Sequence, residues 1–336
     1  TTPAGWCLSD NLATQAGEAS GQEGILGYGY AMRLEPKQAL HAVIWAYAGL
    51  HLLIAAFVPL AAHEAHYALY ARHLALSYLD HPPLAAWLQS IVLWVSSSDL
   101  ALRVLPIALS ATAQYLLASL VRRVYPADSR WLAVVAVLLL QGALVFHGSM
   151  TLSPDAPLLP VALCVVLATL RIADGLESEE IGRPSNADWL WLGVWIGLAG
   201  LSKYTSVTLA LSVVLVGLVR CGWRLFVQPG LWLSAGIALC LILPVLWWNW
   251  SNDWATVRFH TDYQFEDIER WSPTGFLEST AGQLLYYSPL VIIGGVAALA
   301  GLWRRRRRAI FDGAEGVLVL FVLPVLALYL LTALES

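Results

Sequence analysis

Charge is scarce in this chain. Of its 336 residues only 12% are Asp, Glu, Lys or Arg, against about 25% in an ordinary soluble domain. With 58% apolar residues, the polar groups are too few to cover a water-soluble surface. Cysteine is sparse too. Cys7, Cys164, Cys221 and Cys240 form no CxxC pair and no metal-type spacing, so neither a disulfide framework nor a cysteine metal site is expected. Three of the four lie in or beside apolar runs, where a cysteine acts as a small hydrophobe. Phosphate-binding loops, dinucleotide-binding glycine patterns, zinc-protease helices and nucleophile elbows are missing from any supporting context. That removes the commonest nucleotide-dependent and hydrolytic classes.

What is present is a succession of long apolar runs. A spanning helix needs about 20 mostly apolar residues. Candidate spans are 39–60, 104–121, 131–148, 155–172, 189–202, 205–219, 231–249, 283–303 and 315–334. The expected fold is therefore an all-α polytopic membrane protein with about nine transmembrane helices. Residues 84–98 are apolar but brief and follow Pro82-Pro83, which suits a helix lying in the interface or re-entering. Residues 1–31 differ from the rest. They are rich in Gly, Ala, Ser and acidic or amide residues without lasting periodicity. The expectation is a disordered extension over 1–31 and one membrane domain over 32–336.

Basic residues give the orientation, because cytoplasmic loops carry an excess of Lys and Arg. With the N-terminus inside, the inner loops receive Arg33, Lys37, Arg122, Arg123, Arg130, Arg171, Arg183, Arg220, Arg224 and the run Arg304 to Arg308, fourteen of the 19 basic residues. The arginine run reads as a topology anchor and not as a nucleic-acid patch. This assignment puts two long segments outside, about 61–103 and 250–282. These form a first extracytoplasmic loop with interfacial helices and a later polar loop.

The outer segments hold most of the unusual polar residues. In His63-Glu64-Ala65-His66-Tyr67, the pair His63 and Glu64 shares a helical face with Tyr67, Tyr70 and Leu74. Next comes Tyr78-Leu79-Asp80-His81-Pro82-Pro83, where the prolines fix a turn. A solvated structural loop explains these residues equally well. Asp155 opens an apolar helix, and helix capping accounts for it as readily as a site does. An ionisable group at a membrane helix end is nonetheless a site candidate. Lys203, in Ser202-Lys203-Tyr204-Thr205, either snorkels to the interface or offers charge to a phosphate. Arg103 carries the same two readings. Trp247, Trp248, Trp250 and Trp254 suit an interfacial aromatic belt. The polar stretch beyond them, through Arg258 and His260, is expected to fold over the outer face. His63, His66, His73 and His81 make a metal site by number alone, without a definite ligand spacing.

Taken in order, these segments resemble the type-C glycosyltransferase superfamily. The likeness is greatest to its bacterial branch of protein O-mannosyltransferases and the lipid A aminoarabinose transferase. It rests on His63 to Tyr67, Tyr78 to Leu84, Leu102 to Pro106, Ser153 to Leu158, Gly200 to Thr205 and Pro244 to Arg258. The resemblance implies transfer of a sugar from a polyprenyl-phosphate donor, with inversion, outside the inner (cytoplasmic) membrane. The implied acceptor is a lipid, glycan or protein. The bilayer is the other partner, and no nucleic acid is involved. The implied catalytic residues are Glu64, His63 and Asp155. Lys203, Arg103 and Arg258 would hold the donor phosphate, and Tyr67, Asp80, His81 and Tyr204 the substrate. No cofactor is demanded, and a divalent metal stays open.

Two departures stand out. The family usually has Asp-Glu where this chain has His63-Glu64. Its members usually continue beyond the position of Ser336, so a C-terminally truncated form is expected. Competing readings are an inactive homologue or scaffold and, further off, a transporter.

Overall fold

A segment in lipid must satisfy its own backbone polar groups, which leaves helices or closed barrels. The computed structural model of the chain describes residues 35–335 apart from 128, 144–149, 178–182, 266–272 and 306–310. The expected extension over 1–31 and part of the arginine run lie outside the described residues. Within them the secondary structure is helical, with no strand. In chain order the helices are α1 (Pro36–Phe57), α2 (Ala62–Arg72), α3 (Leu84–Val95), α4 (Asp99–Val124), α5 (Ser129–Gln141), α6 (Asp155–Glu177) and α7 (Asn186–Ser202). Then come α8 (Val207–Cys221), α9 (Pro229–Ser251), α10 (Ala255–Phe265), α11 (Pro273–Tyr286), α12 (Pro289–Arg305) and α13 (Gly313–Glu335). Short 3-10 turns, Tyr204–Ser206 and Gly222–Val227, extend α8 at both ends.

Local chemistry marks the helix starts. Pro36 and Pro229 occupy first turns, where a missing N–H costs nothing. Ser98 caps α4 by accepting the Ala101 N–H at 3.3 Å. Ser185 and Asp188 cap α7 reciprocally: Ser185 Oγ accepts from Asp188 N at 3.2 Å, and Asp188 Oδ2 accepts from Ser185 N at 2.9 Å.

Among the described residues six helical segments are long and apolar enough to cross a membrane: Pro36–Phe57, Asp99–Val124, Asp155–Glu177, Tyr204–Val227, Pro229–Ser251 and Gly313–Leu330. A seventh is reached if Thr280–Tyr286 and Pro289–Arg304, bent by 104°, count as one. The protein is thus a multi-pass all-α membrane protein, and among the described residues length and composition give six or seven spans and not the expected nine. The difference lies in α5, with 13 residues, in α7, with 17 residues, and in the bent pair. A hydropathy window accepts such stretches, although at 1.5 Å per residue α7 covers about 25 Å of a roughly 30 Å apolar layer. The chain nevertheless alternates between two ends. Asp188, in the first turn of α7, meets Arg171 near the end of α6 at 3.5 Å. Lys203, just past α7, meets Asp155 at the start of α6. Helix α7 therefore runs antiparallel to α6 along its whole length. Of each span's apolar window 22–50% is buried. The remainder, including Trp45, Leu53, Trp232 and Leu239, is exposed, as a lipid-facing surface requires.

The bundle is tightest where α7 packs between α6 and α9. There a Cβ on Gly193 would lie 2.6 Å from the Ser234 carbonyl oxygen and 2.8 Å from Ser234 Cα. Small residues allow such close approach in membranes. Ser234 Oγ uses it to donate to the Trp189 carbonyl at 2.5 Å. Gly193→Ala must push two backbones apart. It is expected to lower stability by about 1–3 kcal/mol, read as an earlier thermal unfolding in detergent. Gly236→Ala, with nothing within 4 Å, is expected to leave the midpoint in place.

One end of the bundle is rich in arginine and stitched by ion pairs. Arg123 pairs with Asp174 and Arg220 with Glu177. Arg220 also donates to the Gly313 carbonyl at 2.6 Å, and Tyr125 to Glu315 at 3.0 Å. These contacts join α4, α6, α8 and α13. The opposite end carries α2, α3, α10 and the loop over residues 73–83.

Candidate functional site

At that opposite end three polar groupings meet. In the first, Glu64 lies in the opening turn of α2 and Arg103 one turn into α4. Both are buried, at 3% and 1% exposure. Arg103 Nε donates to Glu64 Oε1 and Nη2 to Oε2, each at 2.7 Å. Nη1 donates to the carbonyls of Ala55 at 2.9 Å and Val58 at 2.6 Å, and Nη2 to Pro59 at 3.0 Å. All five N–H donors of the guanidinium therefore have partners. The Ala61 N–H completes the Glu64 shell at 2.9 Å. Burial alone would raise the Glu64 carboxyl. The Arg103 hydrogen bonds, the Ala61 N–H and the Arg103 charge outweigh it and hold the group below its ordinary range. The sequence reading set Glu64 among the catalytic groups and Arg103 at a donor phosphate. The structure brings them to each other, in a closed unit that joins the end of α1 and the start of α2 to α4.

The second grouping is Asp155 with Lys203. Lys203 Nζ lies 2.9 Å from Oδ1 and 3.0 Å from Oδ2. Unlike the first pair it faces outward, with Asp155 63% and Lys203 30% exposed. It is open to a ligand where Glu64–Arg103 is closed.

The third grouping centres on Asp80. Oδ1 accepts from the Tyr70 hydroxyl at 2.8 Å. Oδ2 lies 3.3 Å from His66 Nε2 and 3.1 Å from His81 Nδ1. Burial would raise the Asp80 carboxyl, yet the His81 and Tyr70 hydrogen bonds and the His81 charge hold it well below the usual range. The surrounding loop is fixed on every side. Tyr78 stacks on Tyr70 with ring centroids 4.0 Å apart. Trp87 Nε1 donates to the Ala75 carbonyl at 2.9 Å, and Ser77 Oγ meets the Tyr204 hydroxyl at 3.1 Å. Helix α10 lies over the loop. Thr256 Oγ1 donates to the Tyr78 carbonyl at 3.2 Å and His260 Nε2 to the Asp80 carbonyl at 3.0 Å.

Tyr67 belongs with the third grouping and lies within electrostatic reach of Asp155 in the second. It is buried against Ala85 and Leu152, and its hydroxyl lies 3.3 Å from His81 Nδ1. Burial pushes the phenol above its ordinary range, helped by the charges of Asp80 and Asp155. His63 is exposed and packs edge-on to the Tyr67 ring at 4.7 Å. Arg258 is exposed on α10 and has no ion-pair partner among the described residues. Of the residues singled out from sequence, Asp155, Lys203, Tyr67, Asp80, His81 and Tyr204 are connected here. Sequence reasoning left His66, Tyr70, Tyr78, Thr256 and His260 outside the candidate set. Tyr70 carried a signal, its spacing of three from Tyr67. Thr256 and His260 carried none, because their partners lie far away in the chain. Among the described residues no three of His, Cys, Asp or Glu are placed to hold a metal ion.

Depressed carboxyls make stability depend on pH in a definite direction. Asp80 and Glu64 both have folded values below the unfolded ones. Their stabilisation is complete above the ordinary carboxyl range near about pH 4 and is lost as pH falls through the folded values. The Asp80→Asn variant is expected to unfold earlier than the parent at neutral pH. The gap in midpoint should shrink on acidification, as followed by thermal unfolding at a series of pH values.

The chain is 28% identical over 279 residues to a lipid A galacturonosyltransferase, RgtD, of Rhizobium johnstonii, covering 80% of this chain and 54% of that protein. It is 28% identical over 198 residues to a lipopolysaccharide core galacturonosyltransferase, RgtB, of the same organism, covering 58% of this chain and 38% of that protein. The chain thus spans about half the length, or less, of these curated relatives. No solved structure matches it. Residues 80–248, half of the chain, match the family model for dolichyl-phosphate-mannose-protein mannosyltransferase. That stretch carries Asp80, His81, Asp155, Lys203 and Tyr204, and the chain belongs to this family of membrane glycosyltransferases.

Proposed function

We propose that the chain acts as a membrane glycosyltransferase that takes a sugar from a polyprenyl-phosphate donor and passes it, with inversion, to an acceptor at the extracytoplasmic face. The observation that carries the reading is the outward-facing Asp155–Lys203 pair beside Tyr67, at the end of the bundle away from the arginine-rich loops. Basic residues favour the cytoplasmic side, which supports an extracytoplasmic position for the pair. Lys203, joined by Arg258, turns from Asp155 to the donor phosphate and stabilises the charge that grows as phosphate leaves. Asp155, freed of its cation, supports positive charge developing on the sugar ring. Tyr67, Asp80, His81 and Tyr204 line the substrate side, and His63 stands at its edge. Glu64 and Arg103 hold the frame.

The names of the two relatives suggest a uronosyl donor and a lipid A or core glycolipid acceptor. Transfer of labelled sugar from polyprenyl-phosphate donors, in membranes carrying the protein or its Asp155→Asn variant, tests the reading. Transfer that the variant loses supports it. Equal transfer by both removes Asp155 from the site, and no transfer by the inserted parent from any donor of a panel overturns the reading.

A further inference from the structure

We propose that His81 is the proton acceptor of the transfer step and Asp80 the positioning residue that orients it, an inference that rests on the glycosyltransferase reading above. The other candidate bases are differently engaged. Glu64 is enclosed by Arg103 and the Ala61 N–H. Asp155 is paired with Lys203 at rest and, once freed, is assigned above to the charge developing on the sugar ring. His63 has ring contact with Tyr67 but no hydrogen bond that would fix its tautomer among the described residues.

His81 is held. Its Nδ1 lies 3.1 Å from Asp80 Oδ2 and 3.3 Å from the Tyr67 hydroxyl; we assign the proton to Nδ1, where it faces the carboxylate and leaves the Tyr67 oxygen as a second acceptor. Nε2 is then left with its lone pair. A carboxylate orienting an imidazole in this way fixes the basic nitrogen and stabilises the imidazolium that forms. The support is itself rigid. Asp80 is anchored by Tyr70 and, through its carbonyl, by His260. The His81 carbonyl accepts the Tyr78 N–H at 3.1 Å, and Pro82-Pro83 constrain the backbone that follows. His81 keeps 26% side-chain exposure, enough to meet a substrate.

The charged and titratable groups around it come from several elements. Helix α2 supplies His66, which shares Asp80 Oδ2 at 3.3 Å, together with Tyr67 and Tyr70. His260 comes from α10 and touches the Asp80 carbonyl. Asp155, at the start of α6, acts on the adjoining Tyr67 and is paired with Lys203.

In the step itself, the acceptor hydroxyl gives its proton to His81 Nε2 while its oxygen bonds to the anomeric carbon. The bond from that carbon to the phosphate oxygen breaks, and its electron pair leaves with the polyprenyl phosphate. The imidazolium beside Asp80 then returns its proton to water.

The test is initial transfer rates from a polyprenyl-phosphate sugar, in membranes, across about pH 5 to 9, the window in which an imidazole switches. The parent rate is expected to fall about tenfold per unit on the acid side. His81→Asn is expected to lower kcat about 10²–10⁴-fold, with the donor KM little changed and the acid limb gone. His81→Gln is run beside it with unfolding midpoints, so that misfolding is read separately. Asp80→Asn is expected to keep an acid limb but to shift it to lower pH, because an imidazole without its carboxylate is a weaker base; a purely structural Asp80 would not move it. A solvent deuterium isotope effect on the parent kcat is expected as well. An acid limb that survives in either His81 variant, or a parent kcat insensitive to deuterium, overturns the proposal. A parent that transfers from no donor overturns the glycosyltransferase reading and this inference with it.

Discussion

Lys203→Ala is expected to slow sugar transfer about 10²–10³-fold, the usual effect of removing one preorganised group from a developing negative charge. The ammonium hangs at the end of α7 and is held by both oxygens of Asp155. It therefore waits in place, already neutralised, until a phosphate competes for it. Two further substitutions separate this role from simple topology anchoring. Lys203→Arg keeps the charge and would satisfy an anchor, but its planar fork does not reproduce a compact ammonium, so activity is expected to recover only in part. Asp155→Asn frees the lysine, and donor affinity should rise while turnover falls. A kcat/KM measured with purified donor distinguishes the two, because an anchoring lysine would change neither constant once the protein is inserted.

Breaking the Glu64–Arg103 unit is expected to cost about 3–5 kcal/mol, the range for a buried ion pair that loses one partner. Arg103→Ala leaves a buried carboxylate and three carbonyls, those of Ala55, Val58 and Pro59, without their donor. Glu64→Ala leaves a buried guanidinium. Replacing both with leucine removes the stranded charge and should recover part of the loss. It should not recover all of it, because the three carbonyls remain unserved. Thermal unfolding in detergent reads these differences. Turnover per folded molecule reads something else. If Glu64 only frames the site, the double variant keeps most of its activity. A double variant that is folded and inert would return Glu64 to the chemistry.

Hydropathy made the membrane architecture legible, and the basic residues distinguished the two ends of the bundle. The number of crossings was less legible, because α5 and α7 are apolar but short and their register is settled by contacts at their ends. For the site, residue type was informative and partnership was not. Glu64, Arg103, Asp155 and Lys203 all stood out as ionisable groups beside apolar helices. No local pattern said that Glu64 pairs with Arg103 and Asp155 with Lys203. Opposite charges meeting in an apolar layer are what physics requires, but two cations and two carboxylates allow two pairings. Burial decides between them: the fork of arginine suits the enclosed position with five acceptors, and lysine the exposed one. The hold of α10 on the loop through Thr256 and His260 had no periodic signature at all, since both partners are backbone carbonyls.

The enclosed arginine also bears on how the protein is made. Glu64 emerges from the ribosome well before Arg103, and for that interval the acid at the foot of α2 has no counter-ion. It must stay in water or in the headgroup layer, because an unpaired carboxylate in hydrocarbon is costly. Helix α1 can enter the bilayer alone, but α2 cannot settle until α4 arrives with its guanidinium. Assembly of this end is thereby ordered in time, and a cell short of Arg103 would be left with an inserted anchor and an undocked helix, a natural target for membrane proteases.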